Sequence, residues 1–164
     1  MDAREYWNQH FENHPYQDGK IPSDFLRANV NRLSKGSTLD VAMGEGTNAT
    51  YLASKGFDVK GIDISDVACE RAKKLSADMG LAMKINRGDL DMQMFGLMEY
   101  DTIIMQNFKP AISRYYSEMI RALKQGGTLL IESPMSREMN EAIGKNESYK
   151  DYYFNSNELL KEIF

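Results

Sequence analysis

Thr38-Leu39-Asp40-Val41-Ala42-Met43-Gly44-Glu45-Gly46-Thr47-Asn48-Ala49 begins as a short apolar run and breaks at two glycines one residue apart. Helix-forming sequence follows at once, with Ala49, Tyr51, Leu52 and Ala53. The pattern predicts a buried strand, a tight turn and the start of a helix. Glycine at both positions lets the chain turn sharply and lets a ligand approach the peptide groups with no Cβ in the way. The turn also exposes amide donors at the positive end of the next helix, where a carboxylate or phosphate is favoured. Gly-x-Gly-x-x-Ala alone recurs by chance in loops, so its meaning rests on the chain around it.

Upstream, residues 2 to 14 predict a helix with Tyr6, Trp7 and Phe11 on one face, ended by His14-Pro15-Tyr16-Gln17-Asp18-Gly19. Ser23 predicts the N-cap of a second helix that carries Phe25, Leu26, Val30 and Leu33 inward and stops at Gly36. Downstream, the helix from Asn48 ends at Gly56, and Phe57 to Asp63 reads as a second strand ending in a carboxylate. Ser65 then caps a long helix with an inward stripe of Ala68, Ala72, Leu75 and Met79, stopped by Gly80. Leu81 to Asn86 alternates as an edge strand does, and leads into Gly88-Asp89-Leu90.

After a methionine-rich connection, Tyr100 to Gln106 predicts a fourth strand. Pro110 opens an amphipathic helix with Ile112, Tyr115, Tyr116, Met119, Ile120 and Leu123; Gly126-Gly127 ends it before a fifth strand, Thr128 to Glu132. The tail from Ser133 begins polar, carries Tyr149, Tyr152 and Tyr153, and closes on a short helix capped by Asn155 and Glu158. Strands alternating with helices of this length specify right-handed βαβ units. The fold class is therefore α/β, a parallel sheet sandwiched between helices.

The 164 residues fit a single domain, 1–164, with N-terminal helices over 1–36 covering the site, a binding core over 37–133 and a tail over 134–164. At this length a chain buries roughly 70% of its unfolded surface and needs no disulfide staple. The net charge of -4 and pI of 5.3 exclude a nucleic-acid surface, which needs clustered Lys and Arg. Arg71, Lys73 and Lys74 are the nearest to a basic cluster and read as a solvated helix face. The single cysteine, Cys69, has no Cys or His partner at metal spacing, so no metal site is expected and a small buried hydrophobe is its role. No apolar run approaches the roughly 18 residues of a membrane span, so the expectation is a cytoplasmic protein without a membrane partner.

In an open parallel sheet the ligand sits beyond the carboxyl ends of the strands. Four polar groups converge there: the glycine turn, Asp63, Asp89, and Gln106 with Asn107. Asp63 lies where a carboxylate can accept both hydroxyls of a ribose, which implies a nucleoside-containing cofactor. A nicotinamide dinucleotide would share the glycines and that acid. Asp40 inside the first strand and Glu45 between the glycines, however, set negative charge where its pyrophosphate would lie, and favour a cation.

Leu39-Asp40-Val41-Ala42-Met43-Gly44-Glu45-Gly46-Thr47-Asn48-Ala49 resembles the first motif of class I S-adenosylmethionine-dependent methyltransferases. It is most similar to the small-molecule branch that includes the tellurite-resistance and thiopurine methyltransferases. Gly61-Ile62-Asp63-Ile64-Ser65, Gly88-Asp89-Leu90, Tyr100-Asp101-Thr102-Ile103-Ile104 and Leu123-Lys124-Gln125-Gly126-Gly127-Thr128-Leu129 match the later motifs in order and spacing. The resemblance implies a three-layer Rossmann-like sandwich with strand order 3-2-1-4-5, S-adenosylmethionine as cofactor and S-adenosylhomocysteine as product. It implies that Gly44 and Gly46 give backbone contacts to the methionine portion, with Asp40 bracing the turn. Asp63 would bind the ribose hydroxyls, Ile64 would pack on the adenine, Asp89 and the Leu90 amide would address the adenine edge, and Gln106 would face the methionine end.

The implied activity is methyl transfer to a small-molecule acceptor by in-line displacement. A sulfonium methyl is already activated, so the enzyme mainly aligns the acceptor and removes water, and a base is needed only for a protonated acceptor. No catalytic constellation stands out. Gln106-Asn107-Phe108-Lys109-Pro110 lacks the Pro-Pro-aromatic signature of amide and base amino methylation. His10 and His14 read as surface residues, while Trp7, Phe11 and Tyr16 either pin the first helix to the core or line an acceptor pocket. A non-catalytic S-adenosylmethionine-binding module or truncated remnant is the alternative, and an NAD-dependent oxidoreductase the third reading.

Members of the resembled family usually continue with two more strands, which this chain lacks before Phe164. Strand five is then left with an open edge, which proteins generally avoid; either the sequence is a truncated form, or the edge is covered by the Ser133 to Phe164 tail or by a second subunit, and self-association through it, as a homo-oligomer, is the expectation. Sedimentation at micromolar concentration is expected to give more than the mass of one 18.7 kDa chain, and a single-chain mass overturns the expectation.

Overall fold

The computed structural model describes residues 1–17, 19–110, 114–133 and 161. Its centre is β1 (Ser37–Val41), buried on both faces from Thr38 onward, as an apolar run inside a parallel sheet must be. β1 pairs in parallel with β2 (Asp58–Asp63) on one side and β4 (Tyr100–Gln106) on the other. β3 (Lys84–Arg87) lies outside β2, and β5 (Leu123–Glu132) outside β4, giving the order β3-β2-β1-β4-β5. In this register Asp40 stands between Gly61 and Ile104.

Helices cover both faces, so the three-layer α/β sandwich is the observed architecture. α1 (Ala3–Asn13) is capped by Asp2, and α2 (Asp24–Asn29) by the Ser23 hydroxyl, which accepts the Leu26 amide at 3.0 Å. α3 (Thr47–Ser54) crosses from β1 to β2; α4 (Asp66–Asp78), capped by Ser65, crosses from β2 to β3; α5 (Arg114–Ala122) leads into β5. On one face Leu39, Val41, Ile103 and Met105 pack against Tyr115, Tyr116 and Met119 of α5. On the other, Val59, Ile104 and Leu130 meet Leu26, Ala49 and Leu52.

Several boundaries depart from the sequence pattern for local reasons. β3 starts at Lys84 rather than Leu81, because the Leu81 amide donates to Ser76 O at 2.9 Å and the Ser76 hydroxyl donates to Leu81 O at 2.8 Å. Those bonds hold Leu81 to the end of α4. The inward stripe of α4 is Ala68, Cys69, Ala72 and Ser76, with Met79 at the C-cap 49% exposed, since the helix lies too close to the glycine turn for larger side chains. Phe25 is exposed, whereas Leu26 and Leu33 are buried. β5 begins at Leu123, before the glycine pair. Its ladder jumps from Tyr100↔Leu123 to Thr102↔Thr128, and Gly126 at φ +79° lets the extra residues bulge out.

Ile112 and the tail features, including Tyr149, Tyr152, Tyr153 and the Asn155 cap, lie outside the described residues. Among the described residues no helix is long and apolar enough to cross a membrane, and no cluster of metal-ligating side chains occurs. A cavity of about 300 Å³, lined by Asp58, Lys60, Lys84, Asn86 and Tyr100 among others, opens near the amino ends of the strands, away from the glycine turn.

Candidate functional site

Where β1 ends, the backbone enters the left-handed region three times, at Ala42 (φ +56°), Gly44 (φ +57°) and Gly46 (φ +81°). The Met43 amide bonds to Ile62 O at 3.0 Å, which seats the turn against β2. The Asp63 carboxylate then closes it: one oxygen accepts the Gly44 amide at 2.8 Å, the other the Ser65 amide at 2.9 Å. The Gly88 amide bonds to Asp63 O at 2.9 Å and draws in the end of β3. A Cβ on Gly46 would lie 2.7 Å from the Cβ of Ala72, and one on Gly61 would collide with the Met43 sulfur. Ala42 carries its Cβ in a conformation that disfavours one by about 1 kcal/mol.

The acidic groups divide into two kinds. Asp40 and Asp63 are 3% and 6% exposed. Burial raises the Asp40 carboxyl well above the usual carboxylate range, and the charge of Asp63 raises it further. Burial also raises Asp63, against the opposing amides of Ser65, Gly44 and Ile64. Asp40 Oδ2 is buried without a hydrogen-bond partner among the described residues. Glu45 is equally hidden but compensated: Arg71 Nη1 pairs with Oε1 at 2.6 Å, and the Tyr16 amide donates to Oε2 at 2.6 Å. Arg71 therefore does not belong to a solvated face, although Lys73 and Lys74 do, paired with Glu70 and Asp78. Among the described residues the carboxyl left uncompensated is that of Asp40; Asp63 has its amides and Glu45 its arginine.

The other predicted site residues fall into place unevenly. Ile64 is half-buried between Asp63 and the Ser65 cap. Asp89 is exposed and accepts the Asp91 amide at 2.9 Å, capping a 3₁₀ turn over Leu90–Met92. The Leu90 side chain enters the core beside Phe95, so only its backbone is offered to a ligand. Gln106 shares the sheet face of Asp40, two residues beyond Ile104. Its Nε2 donates to Ser23 Oγ at 2.8 Å and to the Glu132 carboxylate, and its Oε1 is buried without a partner.

Ser23, Glu132, Gly61 and Arg71 are contributors that residue reading missed. Ser23 was legible only as a cap, Glu132 as a strand end, and Gly61 as a glycine in a strand, which signals close approach. Nothing marked Arg71. Cys69 is buried, its thiol pushed up to about 11 by burial first and then by Asp63. His14 is exposed with Nδ1 at 3.1 Å from His10 O, and Trp7 and Phe11 are half-buried on α1 with ring centres 5.9 Å apart.

A family pattern described as a methyltransferase domain matches residues 38–127. The probable tocopherol O-methyltransferase, chloroplastic, of Oryza sativa subsp. japonica is 27% identical over 180 residues, covering 96% of this chain and 48% of the relative. Sarcosine/dimethylglycine N-methyltransferase of Aphanothece halophytica is 33% identical over 103 residues, covering 59% of this chain and 37% of the relative. The solved structure of Haemonchus contortus phosphoethanolamine N-methyltransferase 2 in complex with S-adenosyl-L-methionine has a TM-score of 0.75 at 18% identity, over 99% of this chain and 43% of that one, and shares the fold. The chain spans about half the length, or less, of these curated relatives.

The crowding at Gly46 and the strain at Ala42 predict opposite responses to one methyl group. Gly46→Ala is expected to lower stability by about 2 kcal/mol or more in urea unfolding, since it adds both a left-handed Cβ and a collision with Ala72. Ala42→Gly is expected to stay within about 1 kcal/mol of the parent, strain relief offsetting added chain entropy. Equal effects from the two variants would refute this account of the turn.

Proposed function

The chain belongs to the methyltransferase-domain family, in the class I fold whose cofactor is S-adenosylmethionine; from that premise we propose that it transfers the cofactor's methyl group to a small-molecule acceptor by in-line displacement. The observation that carries the reading is the pairing of two buried carboxylates, Asp40 and Asp63, at a turn that presents glycine backbone. One oxygen of Asp40 has no partner among the described residues. A ligand carrying an ammonium and a sulfonium compensates such a pair, and a pyrophosphate aggravates it.

In this reading Gly44 and Gly46 lay open backbone along the methionine portion; the brace expected of Asp40 is supplied by Asp63 through the Gly44 amide, and Asp40 stands buried on β1 beside them. The Asp63 oxygens accept the Gly44 and Ser65 amides at hydrogen-bond distance, with the Ile64 N–H as a weaker third, and the carboxylate's remaining acceptor capacity can meet the ribose without releasing the turn. Ile64 packs on the adenine, the Leu90 amide and Asp89 meet its edge, and Gln106 borders the methionine end, held there by Ser23 and Glu132. When bound, S-adenosylmethionine supplies a methyl group already activated on sulfur. The protein's own work is alignment of the acceptor and exclusion of water. No described side chain is assigned as a base, and an acceptor that ionises unaided, such as a thiol, needs none. Cytoplasmic location and self-association along β5, which has a partner strand on one side only among the described residues, belong to the same reading.

Calorimetric titration is expected to show binding of S-adenosylmethionine and S-adenosylhomocysteine but not NADH. Asp63→Ala is expected to weaken both by roughly a hundredfold, the loss of two charge-assisted hydrogen bonds. Preference for NADH would overturn the reading. Raised folded-state carboxyls also fix a pH signature. The unliganded fold holds protons that the unfolded chain has already released, so its stability falls as pH rises from about 4 through the raised values of Asp40 and Asp63. Affinity for the cationic cofactor rises over the same window as those carboxylates ionise. Asp40→Asn is expected to flatten the stability profile, and a wild-type profile already flat there would refute the assignment.

A further inference from the structure

α1 is held against the site by charge rather than by burial. It contributes no buried residue to the core, yet it is fastened near both ends to α4 and the glycine turn. Near its start, Arg4 pairs with Asp66 at 2.6 Å, Arg87 reaches the other oxygen of that carboxylate at 3.3 Å, and Ser65 Oγ donates to Asn8 at 2.7 Å. Near its end, Arg71 Nη1 donates to the Phe11 carbonyl at 2.5 Å and to Glu45 at 2.6 Å, and Glu45 receives the Tyr16 amide. Between these fastenings the Phe11 ring lies 3.6 Å from where a Cβ on Gly44 would stand. The helix therefore forms a wall beside the two glycines.

Glu45 belongs to the turn itself, so the Arg71–Glu45 pair joins three things: the turn, the last turn of α1 through Arg71, and the chain beyond it through Glu45. We infer that Arg71 is a positioning residue of the cofactor groove, acting through Glu45 to hold α1 across the glycine turn, and that release of this ion pair frees the wall. The docking is a property of the unliganded chain; only its consequence for the cofactor rests on the methyltransferase reading. The Asp66 pairs are 40% to 49% exposed at their side chains, and the Arg71–Glu45 pair is 26% and 8% exposed, so mobile ions reach the Asp66 pairs freely and the second pair more weakly, from the arginine side. The sheet core has no comparable dependence on salt, because its contacts are apolar.

The test uses Trp7, the chain's one tryptophan, which sits half-buried on α1. Raising salt from about 0.01 M to about 1 M shortens the screening length from about 30 Å to about 3 Å. In the wild-type protein this is expected to increase acrylamide quenching of Trp7 with no loss of far-ultraviolet circular dichroism. Arg71→Gln is expected to show the high-salt quenching already at low salt, Arg71→Lys to restore part of the protection, and Arg71→Gln to weaken S-adenosylhomocysteine about tenfold with its salt dependence reduced. Salt-independent quenching in the wild type overturns the proposal even if Arg71→Gln fails to fold, and so does a folded Arg71→Gln that protects Trp7 like the parent. If Trp7 responds as expected while the wild type binds neither sulfur nucleoside, the docking stands and the methyl-transfer reading falls.

Discussion

The carboxylate of Asp63 accepts one backbone amide from the glycine turn and another from the cap of α4, and the geometry of the site follows from those two bonds. They add to the Met43 amide bond that seats the turn against β2, and carry the tie on to the start of α4. The arrangement extends outward through Ser65, whose hydroxyl accepts the Ala68 amide and donates to Asn8 of α1. Burial disfavours the charge on Asp63, and the amides it collects oppose that penalty. The group is therefore both a structural tie and a carboxylate with acceptor capacity to spare.

Close approach of the backbone is the second constraint. α4 faces the turn with Ala68, Cys69 and Ala72, and Ala72 comes so near Gly46 that no side chain fits between them. Gly61 leaves the matching space on β2 for Met43, which packs with Cys69 and Ala72. Small residues on the helix and glycines on the loop are two halves of one packing solution. The same economy explains why the fully buried positions of α4 are small, while Leu75 is half-buried and Met79, at its C-cap, is exposed.

Charge compensation then distinguishes the acids that the sequence presents together. Glu45 is neutralised by Arg71 and bound by the Tyr16 amide, so its role is to fasten the N-terminal helix. Asp40, five residues away and on the strand, has no such partner among the described residues. An uncompensated carboxylate inside a parallel sheet is costly, and in the proposed reading the cationic cofactor offsets that cost.

The alternation of apolar runs with helical stripes, and the caps at Ser23 and Ser65, determined the element order, because those signals are local in the chain and the βαβ rule then orders the connections. The glycine pair and the strand-end acids likewise pointed to the carboxyl ends of the strands, where the proposed cofactor groove lies. Tertiary structure alone decided which acid is compensated. Arg71 is 26 positions from Glu45, on a helix whose exposed cations look alike in sequence, and only the seating of α4 under the turn singles it out. It also decided that Leu90 offers backbone alone and that β5 starts before its glycines, since burial and strand register depend on neighbours remote in sequence. Local residue types could specify what each segment becomes; the distances between segments, which set charge pairing and close approach, exist only once the sheet has formed.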